Sequence, residues 1–111
     1  DEIVFTSNKS WLHPLFDLLE FLTREDISSN TLFVQDKLIG RGAAVLLAKM
    51  GIVRCHGKII SQRALPVLKE YGITYSYDIL VEQLECQTEV VLTDNMTLED
   101  AYKELSRRAK L

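Results

Sequence analysis

Long apolar runs are missing from this chain of 111 residues. No stretch approaches the roughly 20 residues that a membrane-spanning helix requires, and no secretory leader pattern is visible. Cysteine is scarce: Cys55 and Cys86 are the only two, and their spacing matches no zinc motif and no disulfide-rich scaffold. There are no repeats and no low-complexity tract. Basic charge is not in excess either, since the net charge of -3 argues against a nucleic-acid surface, which needs a clustered basic face. The one basic cluster, Lys103, Arg107, Arg108 and Lys110, lies where cations complement the C-terminal end of a helix dipole. These absences leave a cytoplasmic protein with one small core as the expectation.

What is present is an alternation of strand-like and helix-like segments. Ile3 to Thr6 reads as a short strand. Ser10 is placed to cap a helix from Trp11 to about Thr23, with Pro14 in its tolerant first turn and Trp11, Leu15, Leu18, Leu19 and Leu22 at helical spacing. The stretch from Thr31 to Gly51 carries the most information. A β-rich run over 31–35 passes through Gly40-Arg41-Gly42 into an almost wholly apolar helix, Ala43 to Met50, which Gly51 stops.

Ile52 to Ile60 reads as the next strand. Ser61 is placed to cap a helix from Gln62 to Tyr71, with Pro66 early in it and Gly72 ending it. Ile73 to Tyr77 follows as a strand. Asp78 is placed to cap a short helix from Ile79 to Leu84, and Thr97 a final helix carrying Leu98, Ala101, Tyr102 and Leu105. Glu89 to Leu92 is an apolar run with no clear period, and Asp94-Asn95 reads as a turn.

Strand, helix, strand, helix and strand in this order give two βαβ crossovers. The expectation is an α/β domain with strands 31–35, 52–60 and 73–77 mutually parallel, in a three-layer α/β/α arrangement: a mixed sheet with helices on both faces. Both crossover helices then start at one edge of the sheet, so Gly40-Arg41-Gly42 and Ser61 converge. Glycines at a helix start let backbone N–H groups approach an anion, and an arginine adds a fork of donors. The candidate ligand-binding residues are therefore Lys37, Gly40, Arg41, Gly42 and Ser61. The competing reading is a tight strand-to-helix turn with close helix packing.

The order Asp36-Lys37-x-x-Gly40-Arg41-Gly42-Ala43-Ala44-x-Leu46-Leu47-Ala48, then Ile59-Ile60-Ser61, then Ala64 to Ile73, resembles an uncharacterised prokaryotic family typified by a Thermotoga hypothetical protein. The resemblance covers 1–78. It implies a cytidine deaminase-like fold and a chain that lacks the family's N-terminal helix and strand, consistent with its opening on Asp1 without a Met. Active deaminases of that fold hold zinc through His or Cys at the start of one helix, with a Glu two residues on, and two cysteines at the start of the next. This chain has none of these at 40–44 or 61–65, so the resemblance implies the fold without the zinc chemistry.

No cofactor is implied, and no catalytic residue is assigned. His13 and His56 read as face residues, Trp11 and Phe16 as core or interface, and Cys55 as a buried core thiol. The favoured function is binding of an anionic small molecule, nucleotide-like or a sugar phosphate, with no nucleic acid and no membrane as partner. The alternatives are a metal-free enzyme using Cys55, and a homo-oligomeric assembly module whose unfilled sheet edge pairs with another chain.

Overall fold

A computed structural model describes residues 12–85, 88–93 and 95–109. The expected strand at 3–6, the Ser10 cap, Trp11, Cys86, Asp94 and Lys110 lie outside them. Among the described residues the order is α1 (His13–Glu25), β1 (Val34–Ile39), α2 (Arg41–Met50), β2 (Arg54–Ser61), α3 (Leu65–Glu70), β3 (Thr74–Val81), the single turn α4 (Thr88–Val91) and α5 (Leu98–Ala109), with a 3-10 turn at Ser29–Thr31. The sheet is three-stranded in the order β1-β2-β3, and both pairings are parallel, as the two crossovers require.

Several boundaries differ from the sequence expectation. β1 starts at Val34 and runs to Ile39, some residues later than 31–35, because Gln35 and Asp36 pair with β2 despite their low strand propensity. α1 begins at His13, with Leu12 before it and Pro14 in the first turn. α2 starts two residues earlier than Ala43, taking in Arg41 and Gly42. Ser61 is not a helix cap: it belongs to β2, paired with Val81, and α3 opens only at Leu65. Asp78 and Ile79 lie inside β3, so the expected 79–84 helix is absent there; ladder pairing with Ile59, Ile60 and Ser61 overrides the local signal. Thr97 does cap α5, its Oγ1 accepting the Asp100 N–H at 3.0 Å.

α2 is the hub of the core. Arg41 to Leu47 and Met50 are all buried, which explains why this helix has no polar face. It packs against the sheet, α1, α3, α4 and α5. Two successive right-handed crossovers in the same direction put α2 and α3 on one face of the sheet. That face carries Ile39, Cys55, Gly57 and Ile60, all buried. The rows do not alternate strictly. On β1 Val34 and Asp36 are half-buried and Ile39 is buried, and on β2 the buried positions are 55, 57, 60 and 61, so burial slips phase by one residue in both strands at matching register. A Cβ on Gly57 would lie 2.6 Å from Ile60 Cγ1 and 3.1 Å from Ile39 Cδ1, which places all three on the same side.

The opposite face is open. Phe33, Leu38 and Ile79 are about half exposed, and Leu38, Ile59 and Ile79 form one row across the three strands. The expected second helical layer is not what these residues show.

Candidate functional site

Every α-helix starts with backbone N–H groups that have no partner within the helix. Gly40, extended at φ -100° and ψ -168°, precedes α2 and offers no side chain to cap it. The missing acceptor comes from far along the chain. Glu89, fully buried, places Oε2 2.5 Å from the Arg41 nitrogen and accepts its N–H, while its Oε1 accepts the Leu84 N–H at 3.0 Å. Arg63, in the turn before α3, donates from Nε to the Glu89 carbonyl at 2.8 Å. A carboxylate is the charge that a helix N-terminus favours. The glycine-rich start thus holds an anion, and the anion is the protein's own.

The glycines make room for this arrangement. A Cβ at Gly40 would come within 2.8 Å of both Glu89 Oε2 and Leu84 Cδ1. One at Gly42 would come within 2.8 Å of Leu12 Cδ1 and 3.2 Å of Thr88 Oγ1. Gly40 and Arg41 therefore sit where the sequence reading puts them. Ser61 is one residue past the Ile39 and Ile60 pair that ends the ladder on β1. It is fully buried, and among the described residues its Oγ has no hydrogen-bond partner. Lys37 is exposed on β1, and its backbone N–H donates to Asp36 Oδ1 at 2.7 Å; no contact among the described residues joins its ammonium to Arg41 or Glu89.

Sequence reasoning missed Glu89. The signal was weak but present: a carboxylate opening the unassigned apolar run at 89–92, where an unpaired charge would be costly to bury. The reading also missed an open cleft of about 230 Å3 between α2, α3 and α5. Its walls are Val45, Pro66, Val67, Leu92, Met96 and Leu98, and its polar groups include Arg41, Glu70, Tyr71, Thr93 and Thr97. Arg41 is thus shared: its backbone N–H faces Glu89, and its side chain, only 7% exposed, belongs to the cleft.

Cys55 is 1% exposed, and burial pushes its thiol up to about 11 from the usual 9.0. A nucleophilic thiol needs the opposite shift, so the Cys55 enzyme reading has no support from its surroundings. Two results are expected. Iodoacetamide at pH 8 should leave Cys55 unmodified in the native protein and alkylate it in denaturant; rapid native modification would contradict the burial. Because the folded thiol titrates higher than the unfolded one, its contribution to stability is complete below pH 9 and declines as the pH rises from 9 towards 11. Urea midpoints for wild type and Cys55→Ala across that range would show it, since only the wild type should carry this loss.

Among the described residues, no three His, Cys, Asp or Glu side chains come together in a way that could hold a metal ion, and no helix is long and apolar enough to cross a membrane.

The family model described as TM1506, a domain of unknown function (DUF1893), matches residues 1–106. No curated protein matches the chain. Among solved structures, the chain is similar to a DUF1893 family protein (TM1506) from Thermotoga maritima, with a TM-score of 0.76 and 25% identity over 95% of this chain and 74% of that one.

Proposed function

Because the chain belongs to the DUF1893 family, whose domain is described as one of unknown function, we propose its role from the geometry: it binds a small anionic molecule, nucleotide-like or a sugar phosphate, without zinc and without deamination. The ligand lies in the cleft between α2, α3 and α5, with its anionic group on the Arg41 guanidinium and its body on Val45, Val67, Leu92 and Met96. One observation carries this reading. Arg41 is a nearly buried arginine on the wall of a cleft that apolar and polar side chains line together, and its backbone is fixed by Glu89. A few placed polar groups in an apolar concavity are what small-molecule sites are made of. The ligand does not need the α2 N-terminus itself, because Glu89 serves there. We read the two parallel crossovers as a cytidine deaminase-like arrangement in which Gly40 and Arg41 stand where a deaminase presents its first metal ligand.

Titration calorimetry with a nucleoside monophosphate, a sugar phosphate and an aliphatic carboxylate tests the proposal. At least one should bind the wild type. Arg41→Ala should weaken it roughly ten- to a hundredfold, since a charge-assisted hydrogen bond contributes about 1.5–3 kcal/mol. Equal affinity in the variant would remove Arg41 from the site, and no binding of any of the three would reject the anion reading. Elemental analysis of the purified protein should find no stoichiometric zinc, and cytidine and adenosine should be left intact; about one zinc per chain would overturn the zinc-free reading.

A second reading is assembly through the sheet edge. It is favoured by the position of β1, which has a neighbour on one side only among the described strands. Parallel strands are ordinarily buried and paired. Light scattering at micromolar concentration separates the two, because a strict monomer rules out assembly without touching ligand binding.

A further inference from the structure

The open face of the sheet carries a second constellation, remote in character from the cleft. His56 on β2 is in register with Ser76 on β3. Its Nδ1 is 2.7 Å from Ser76 Oγ, and its Nε2 is 3.4 Å from Asp78 Oδ1. Ser76 and Asp78 are two apart on one strand and flank a single imidazole on the next. The tautomer with its proton on Nε2, the nitrogen on the Asp78 side, leaves Nδ1 as the acceptor for the Ser76 hydroxyl. Nucleophile, base and orienting carboxylate are thus in sequence, with the two ring nitrogens exchanged relative to the usual serine triad. Arg54, two residues before His56, is exposed on the same strand, and the apolar row Leu38, Ile59 and Ile79 crosses the sheet next to the trio.

We propose that Ser76 is an activated nucleophile that takes an acyl group from small activated esters, with His56 as its base and Asp78 as the residue that positions His56. Ser76 Oγ attacks the ester carbonyl carbon as its proton passes to His56 Nδ1. The tetrahedral adduct collapses, the C–O bond to the leaving group breaks, and the leaving oxygen takes the proton back from His56. Water, deprotonated by His56, then cleaves the acyl-serine, releasing the carboxylic acid and restoring the hydroxyl. Ester and water become acid and alcohol, with no other reactant required. The face is open to water, so the substrate class is small, reactive esters rather than amides. The acyl group lies on the Leu38, Ile59 and Ile79 row.

The experiment uses p-nitrophenyl acetate and a fluorophosphonate probe on the wild type, Ser76→Ala, His56→Gln and Asp78→Asn. Thermal melts confirm that each variant folds, as expected for exposed positions. The wild type should release a burst of nitrophenol and carry one adduct, mapped by peptide mass to the segment holding Ser76. Ser76→Ala should lose both. His56→Gln should slow acylation roughly a hundredfold, the usual worth of a general base. Asp78→Asn should slow it less and change its pH profile, which a merely structural role would not do. Acetylation confined to Lys37 or Lys58, a burst that persists in Ser76→Ala, or Ser76 labelling at full rate in His56→Gln would each overturn the proposal.

Discussion

Glu89→Ala is expected to lower the melting temperature by roughly 10–20 °C. The carboxylate accepts two backbone N–H groups, from Arg41 and Leu84, and it is fully buried. Its loss leaves both donors without an acceptor, at about 1–3 kcal/mol each, so the total is about 3 kcal/mol. For a chain of this size each kcal/mol moves the midpoint by about 4–8 °C. Glu89→Gln keeps one carbonyl acceptor but turns an amide NH2 towards the second donor, and should cost about half as much. The diagnostic result is rescue: acetate or formate at about 0.1 M should recover part of the lost stability in the alanine variant and none in the wild type. An alanine variant that melts within about 3 °C of the wild type would show that the α2 N-terminus does not depend on this side chain.

Gly57→Val should be of similar severity for a different reason. The β-carbon alone would meet Ile60 Cγ1 at 2.6 Å and two Ile39 carbons at 3.1 Å. Both isoleucines are fully buried, and neither contact is with the loose end of a long side chain. Overpacking of this kind costs about 1–3 kcal/mol, and a branched side chain belongs at the upper end. The cause can be isolated with a double variant. Gly57→Ala with Ile60→Ala should be more stable than the sum of the two single effects, because the second change removes the Cγ1 that the first would strike. Strict additivity in urea unfolding would mean that the clash is relieved some other way.

Much of the architecture was legible in the sequence because it rests on local signals. The glycine-rich turn, the apolar run at 43–50, Gly51, Gly72 and Thr97 each announce a helix boundary, and three strands separated by two helices force parallel crossovers. The errors lie where pairing overrides propensity. Gln35 and Asp36 do not look like strand, yet each is held by its partner on β2; Asp78 looks like a cap, yet Tyr77 before it and Ile79 after it are both paired with β2. Ser61 looks like a cap as well, but the ladder to Val81 claims it. The site was half legible. Gly40 and Arg41 could be found because an anion site at a helix start has a local signature. Glu89, which fills that place, could not, since nothing near it in sequence names its partner. His56, Ser76 and Asp78 were invisible for the same reason: their relation depends on the register of β2 against β3.

The bond between Glu89 and Arg41 spans 48 residues, and this has a bearing on how the chain acquires its structure. During synthesis α2 and β2 emerge well before residue 89 leaves the ribosome, and β3, which ends at Val81, shortly before it. Until then the first turn of the most deeply packed helix lacks its acceptor, and the bond also has to offset the entropy of closing the chain between its partners. The nascent β1-to-β3 unit should therefore pass through a state with its sheet formed and the start of α2 still frayed. Pulsed hydrogen exchange during refolding can resolve this order: the Arg41 and Leu84 amides should gain protection together, and later than the amides of β2.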